Sequence, residues 1–282
     1  MKDLLRTEHL SRADVELILG TAAKFAKNPL AAKKALKNLT VAIYMTKPST
    51  RTRLASETAI AHLGGTPIFL RGDDLQIGRG ESIADTAKII SGFASALIVR
   101  TFKQSDVDEL GKHATIPVLN ALTDDDHPTQ LLADWLTIRE NFGKDITGRK
   151  FTYLGDGNNM AHAWLIMGAI MGAHVVVATP GGKWAPNNLV IDTAKNIAAK
   201  SGGQIEVLTD PEAAANALSQ SQGGTEIPVL QPLWRTAAEG VAGDSDEIRG
   251  AQSRRCRGRW AGMRRLYEER RGMGRVAGAV VG

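Results

Sequence analysis

Between residues 39 and 208 the chain alternates short apolar runs with longer segments whose apolar residues recur at helical spacing. That alternation is the feature that most narrows the fold. A strand, a crossover helix and a second strand of the same kind make a parallel unit, and repeating the unit gives a sheet covered by helices on both faces. The spacing predicts strands at 39–45, 66–70, 95–99 and 116–119, with helices near 50–62, 82–93, 104–113 and 128–142. Ser11, three residues before Asp14, is a capping-box start for a helix running to about Lys27. A second series begins at Lys150, with strand 150–154, helix 158–172, strand 174–178, helix 187–201, strand 204–208 and a short helix from Pro211. The stretch Asn141-Phe142-Gly143-Lys144-Asp145, with Gly148 behind it, marks the joint. The expected architecture is α/β: two doubly wound parallel-sheet domains, 1–142 and 143–218, the second incomplete. An atypical Arg/Gly-rich tail, 219–282, follows and is expected to be poorly ordered.

Open α/β sheets bind ligands at the carboxyl ends of their strands. Lys47-Pro48-Ser49-Thr50-Arg51-Thr52-Arg53 follows the first strand and opens a helix. Unpaired backbone N–H groups and the positive end of the helix dipole favour a phosphate or carboxylate there. The hydroxyls add donors, and Arg51 can grip two oxygens at once. Taken alone, the run also fits a capped surface helix with stray basic residues. Two further segments follow strands: Arg100 after Ala96-Leu97-Ile98-Val99, and His127-Pro128-Thr129-Gln130 after the strand ending near Leu119.

A small acyl phosphate would suit this set. Ser49, Thr50, Arg51, Thr52 and Arg100 could neutralise the phosphate. His127, with Arg51 or Thr52, could polarise the carbonyl oxygen, where negative charge grows under nucleophilic attack. Gln130, one helical turn after His127, could accept from an NH2 on the acyl half. Arg51, Arg100 and His127 are thus the candidate catalytic groups. No metal and no other cofactor is called for, because fixed cations stabilise both the oxyanion and the departing phosphate, and closeness of the two substrates supplies much of the remaining rate. Singly, Arg100 reads as a surface residue and His127 as a turn residue; only the set carries the argument.

Two tempting motifs do not hold. Asp124-Asp125-Asp126 suggests a cation, but three consecutive carboxylates point in different directions and ordinarily form a solvated turn. Gly155-x-Gly157 after a strand suggests a dinucleotide, yet the third glycine position is Met160, and the next strand ends Ala178-Thr179-Pro180 without an acidic residue for a ribose. Asn158 and Asn159 read better as polar groups at a helix start, able to bind the amino and carboxylate groups of an amino acid.

The net charge of +5 invites a nucleic-acid reading, but the charge is unevenly placed. Residues 1–218 carry 24 Lys+Arg against 23 Asp+Glu, and residues 219–282 carry 11 against 7, all 11 being arginine. The chain changes character near Leu218. The opening residues lack a charged and then apolar leader, so secretion is not expected. The apolar run Ala161–Ala178 is broken by His162, Gly168, Gly172 and His174 and divides into a helix and a strand, so no membrane span is expected. The single cysteine, Cys256, excludes an internal disulfide framework and fits a reducing cytoplasm.

These motifs resemble those of the carbamoyltransferases. Lys47 to Arg53 is similar to that family's carbamoyl-phosphate motif, and His127-Pro128-Thr129-Gln130 to its second one. Gln76-Ile77-Gly78-Arg79-Gly80-Glu81-Ser82, Asp85-Thr86-Ala87 and Gly155-Asp156-Gly157-Asn158-Asn159-Met160-Ala161-His162 resemble the branch that uses ornithine. The resemblance covers roughly residues 2–218. It implies that Ser49, Thr50, Arg51, Thr52, Gln76, Arg100, His127, Pro128, Thr129 and Gln130 bind carbamoyl phosphate, that Asn159 binds L-ornithine, and that Gln76 reaches a neighbouring subunit's site in a homotrimer or multiple of trimers. The implied reaction joins carbamoyl phosphate and ornithine into citrulline and phosphate, in cytoplasmic arginine biosynthesis.

After Leu218 the pattern breaks. The family's Asp-x-Trp segment leading to Ser-Met-Gly, its His-Cys-Leu-Pro motif and its C-terminal arginine are missing, and Cys256, in Arg254-Arg255-Cys256-Arg257, is no substitute. The tail is either a basic segment of the kind that binds phosphate backbones or the product of a changed reading frame. Loss of lysine, gain of arginine and glycine, and fading periodicity favour the second, so nucleic acid is not the expected partner. The expected consequence is a poorly stable chain with little or no turnover. Alternatives are an inactive carbamoyl-phosphate-binding remnant, a basic-tailed nucleic-acid-binding protein, or a carbamoyltransferase that takes aspartate or putrescine.

Overall fold

The computed structural model describes residues 2–179 and 181–209 and the backbone of 226–230. The chain divides into two compact units, Met1–Ile138 and Arg139–Gly282. In the first, α1 (Arg12–Lys27) begins at a complete Ser11–Asp14 capping box. Then come β1 (Thr40–Met45), α2 (Thr50–His62), β2 (Thr66–Arg71), α3 (Ile83–Phe93), β3 (Ala96–Arg100), α4 (Gln104–His113), β4 (Val118–Leu122) and α5 (Pro128–Phe142), the last running past the division. The strands are parallel, in the order β2-β1-β3-β4.

Why β1 is central follows from its residues. Ala42 and Tyr44 pack with Leu97, Val99, Ala87, Ile90, Val107 and Leu110 on one face. Val41, Ile43 and Met45 pack with Ile60 of α2 on the other. A strand apolar on both faces belongs inside a parallel sheet, and each large side chain so buried contributes roughly 1.5–3 kcal/mol. By contrast α2 buries only Ile60, and Leu54, Ile68 of β2 and Phe93 of α3 are exposed.

All four strands depart from the periodicity, the first two by a single residue at one end. The third strand runs 96–100 rather than 95–99, so Arg100 is its last residue instead of the residue after it. The fourth runs 118–122 rather than 116–119. Asn120 concealed it: fully buried, its amide donates to the carbonyl of Leu5 and to Gln104, a pairing no apolar pattern reveals. Opposite Val99 and Arg100, β4 carries one extra residue, Ala121, making a bulge.

The second unit has β5 (Lys150–Leu154), α6 (Asn159–Met171), β6 (His174–Ala178), α7 (Asn188–Ser201), β7 (Gln204–Leu208) and β8 (Glu226–Leu230). Its strands are also parallel, ordered β7-β6-β5-β8. Helix α6 is buried almost throughout, with Trp164 against Phe151 at a ring separation of 5.8 Å. A Cβ at Gly168 would lie 2.1 Å from Val175, so only glycine lets helix and strand meet this closely. Strand β8 is a departure from the sequence reading, since it falls beyond Leu218, where no strand was expected. It pairs with β5 from Lys150↔Glu226 to Leu154↔Leu230, and Pro228 is tolerated because, among the described strands, β8 is at the edge. The short helix expected from Pro211, Cys256 and the rest of the tail lie outside the described residues.

Candidate active site

In the order β2-β1-β3-β4 the direction of winding reverses between β1 and β3. A doubly wound sheet opens its crevice at such a switch point, beyond the carboxyl ends of the two strands. Ser49 lies in the short turn between β1 and α2, and Arg100 ends β3. The two strand ends are tied together, since the N–H of Thr46 donates to the carbonyl of Arg100 at 3.0 Å and the hydroxyls of Thr46 and Thr101 meet at 2.9 Å.

Ser49 is the N-cap of α2. Its extended backbone (ψ 115°) places the hydroxyl to accept from the N–H of Thr52 at 3.2 Å and to donate to the Thr52 hydroxyl at 3.0 Å. The Thr52 hydroxyl in turn accepts from Nη1 of Arg100 at 3.3 Å. Thr50 and Arg51 are exposed at the helix start. The Nε of Arg100 is buried without a hydrogen-bond partner. Burial and the nearby charge of Arg51 lower the Arg100 pKa. Neither arginine has a carboxylate partner among the described residues. Two cations held near each other at a helix N-terminus, one with an unmet donor, offer the kind of donors that an anion takes up.

His127 and its neighbours come from the turn between β4 and α5. Asp126, half-buried, accepts from the N–H and hydroxyl of Thr7 at 2.5 and 2.7 Å and from the N–H of His127 at 2.8 Å. Desolvation outweighs these bonds and raises its pKa. Burial, with the charges of Arg100 and Lys47, pushes His127 down to about 4, so its imidazole is neutral near pH 7. Its Nδ1 lies 3.3 Å from the Thr129 hydroxyl, which also reaches the carbonyl of Ala121, the extra residue of the β4 bulge, at 3.3 Å. Pro128 opens α5, and Gln130 follows His127 by three residues, on the same helix face. Gln130 Nε2 donates to Asp134 at 2.8 Å.

Thus the structure gathers Ser49 to Thr52, Arg100 and His127 through hydrogen bonds and mutual charge, with Gln130 one turn from His127. Gln76 is different. It is exposed, its carbonyl accepts from the N–H groups of Arg79 and Glu81, and among the described residues no hydrogen bond joins it to the cluster. The aspartate triplet is not simply the solvated turn expected of it, since Asp124 pairs with Lys47 while Asp126 bonds inward to Thr7 and the His127 N–H. Three participants were given no role of their own by the sequence, although Lys47 stands in the motif. Lys47 lies 5.2 Å from the Phe102 ring centroid beside Asp124, Asp126 fixes the turn, and Asp134 holds Gln130. Only the last left a signal, four residues beyond Gln130.

In the second unit Asn158 caps α6, its side-chain oxygen accepting from Met160 N at 2.8 Å while its NH2 donates to Asp156 at 3.2 Å. Asn158 is thus the polar group at a helix start that the sequence indicated. The Tyr153 hydroxyl donates to the carbonyl of Asp156 at 3.1 Å, and burial drives its pKa upward. A Cβ on Gly157 would sit 2.2 Å from Pro186 N, so this glycine serves the close approach of segment 184–186. Asn159 is half-buried in the first turn of α6, after β5.

The model of the aspartate/ornithine carbamoyltransferase carbamoyl-phosphate-binding domain matches residues 2–140, and that of the Asp/Orn-binding domain matches 147–219. This chain belongs to the aspartate/ornithine carbamoyltransferase family. Its members are transferases. The ornithine carbamoyltransferase of Anoxybacillus flavithermus is 46% identical over 219 residues, 77% of this chain and 69% of that protein. That of Symbiobacterium thermophilum is 45% identical over 253 residues, 89% of this chain and 77% of the other, a match that runs past Leu218. Among solved structures, the ornithine carbamoyltransferase from Pyrococcus furiosus superimposes with a TM-score of 0.76 at 39% identity, covering 88% of this chain and 76% of that one. Among the described residues no helix is long and apolar enough to cross a membrane.

Proposed function

We propose that this chain is an ornithine carbamoyltransferase whose first unit, taken as residues 1–142, binds carbamoyl phosphate. Ser49, Thr50, Arg51, Thr52 and Arg100 hold the phosphate, while His127, Pro128, Thr129 and Gln130 hold the carbamoyl half. The observation that carries this reading is the buried, unpartnered Nε of Arg100 beside the open N-terminus of α2. A buried unmet donor on a cation is costly, and an anion relieves the cost.

The chemistry follows from the groups. A neutral His127 that carries its proton on Nε2 can donate it to the carbamoyl oxygen, and that tautomer requires the Thr129 hydroxyl to give its single proton to Nδ1 in place of the Ala121 carbonyl. The δ-amino nitrogen of ornithine attacks the carbamoyl carbon, and the negative charge passing to that oxygen is met by His127 and Arg51. The C–O bond to phosphate then breaks, the phosphate leaves with the pair of electrons against Arg100 and Arg51, and the nitrogen gives up one proton to the departing phosphate. Relatives named ornithine carbamoyltransferase support ornithine as acceptor, with Asn159 of the partial domain 143–218 as its contact. Arginine biosynthesis in the cytoplasm is the setting. A homotrimer or multiple of trimers, with Gln76 serving a neighbouring subunit, accounts for the exposed Leu54, Ile68 and Phe93.

Turnover is expected to be small, because the motifs that hold the acceptor in this family are missing after Leu218. Calorimetric titration with carbamoyl phosphate and inorganic phosphate, beside a citrulline assay, tests both parts. Binding of both anions with little citrulline is the expected result. Failure of both to bind sinks the site assignment, and turnover at the level of the relatives sinks the view that the tail lacks essential parts.

A further inference from the structure

One buried group in the first unit plays no part in the reaction as described. Asp134 lies on α5, four residues after Gln130, and is 2% exposed. One of its oxygens accepts from Gln130 Nε2 at 2.8 Å; the other is buried without a partner. An isolated carboxylate in such a place costs stability, and burial pushes its pKa up to about 7. A leucine there would pack without that penalty. A destabilising group at a candidate site calls for a role beyond packing.

An amide side chain has two different edges, one donating and one accepting, and nothing in its shape decides which faces outward. Here the carboxylate decides. Ionised, Asp134 can only accept; protonated on its unpartnered oxygen, it still accepts through the other. Either state takes the NH2 edge of Gln130 inward and leaves its carbonyl as the free edge. That carbonyl has no partner among the described residues and is not buried.

We propose that Asp134 is the positioning residue for Gln130, and that by fixing the amide it makes the site select acyl phosphates whose acyl group carries N–H donors over those that carry only carbon. This inference rests on the carbamoyl-phosphate reading. Carbamoyl phosphate and acetyl phosphate are its natural probes, since they share the phosphate and the carbonyl and differ in NH2 against CH3. A site that offers a hydrogen-bond partner discriminates against an analogue unable to use it.

The test is the ratio of the two dissociation constants, measured by calorimetry on the full chain, which needs no turnover. The parent prefers carbamoyl phosphate by roughly tenfold or more. Asp134→Leu should cut that ratio at least fivefold by weakening carbamoyl phosphate alone, with inorganic phosphate bound as before. Asp134→Asn, whose amide can present either edge to Gln130, should give a ratio between those of the parent and Asp134→Leu. In a Gln130→Met background, Asp134→Leu should have no further effect on the ratio, as expected of a group acting through another. The inference is overturned if Asp134→Leu leaves the ratio unchanged, if it weakens both acyl phosphates and phosphate in parallel, or if its effect persists without Gln130. Should Asp134→Leu fail to fold, Asp134→Ala, which likewise has no acceptor, takes its place in the same comparison. A parent that binds neither acyl phosphate removes the underlying reading instead.

Discussion

The two units each begin a helix just after a central strand, and they use that helix start in opposite ways. At α2 the cap is a serine whose hydroxyl satisfies one N–H, leaving Thr50 and Arg51 exposed and Arg100 with a buried, unmet donor. At α6 the cap is Asn158, whose oxygen takes two N–H groups, whose NH2 goes to Asp156, and whose neighbour Tyr153 closes the loop. The first terminus is left incomplete and cationic. The second is complete within itself. Helix geometry alone therefore does not make an anion site; what matters is whether the local side chains have already consumed the donors.

Removing Arg100 should break that comparison most severely. Arg100→Gln is expected to weaken inorganic phosphate binding by roughly a hundredfold, in line with the loss of a partly buried charged contact. Retained affinity in a calorimetric titration would mean that the backbone of α2 suffices and that the two helix starts differ less than their side chains suggest.

Titration gives a second contrast, of similar size. His127 has a folded pKa of about 4 against an ordinary 6.5, so its burial subtracts stability as pH falls from about 6.5 to about 4. Asp134 has a folded pKa of about 7 against 3.8, so its burial subtracts stability as pH rises from about 4 to about 7. Each shift corresponds to about 3–4 kcal/mol at most. Relative to the parent, His127→Gln should gain stability toward acid, and Asp134→Leu should gain it toward neutrality, in denaturant melts run from pH 4 to 7. In the second unit Tyr153 shifts upward, away from this window, and a Tyr153→Phe difference curve should be flat. Flat curves for all three would mean that the first site is as well solvated as an ordinary surface.

The smallest expected effect sharpens the other side. Gly157→Ala forces a methyl toward Pro186 and should cost ~1–3 kcal/mol, detected as earlier melting of the second unit with phosphate affinity unchanged. A change in phosphate affinity would show that the two helix starts are not independent.

How much of this was legible beforehand depended on which physical signal each part carries. The helix spans 50–62, 104–113 and 128–142 were readable to the residue, because caps and apolar spacing are local. The fourth strand was misplaced because Asn120 is buried by hydrogen bonds to Leu5 and Gln104, residues far off in the chain. The capped helix start at Ser49 was readable because its cap and first turn are local in sequence. Asp126 and Asp134 were not, since a buried or half-buried carboxylate has the same letter as an exposed one and only its surroundings distinguish them. β8 was missed because its residues follow the change in composition near Leu218, and pairing with β5 is a property of the sheet.

The extra residue in β4 has one more implication. In a pleated strand, a shift of one residue turns every later side chain to the opposite face. Ala121 absorbs such a shift where β4 meets the last residue of β3, and its carbonyl holds the threonine that touches the imidazole of His127. Its methyl group contributes little, but its presence as a unit of length does. Evolution could exchange this alanine for another small residue at slight cost, whereas losing the position altogether would realign the strand that carries the turn. The site is therefore constrained at residue 121 in count rather than in kind.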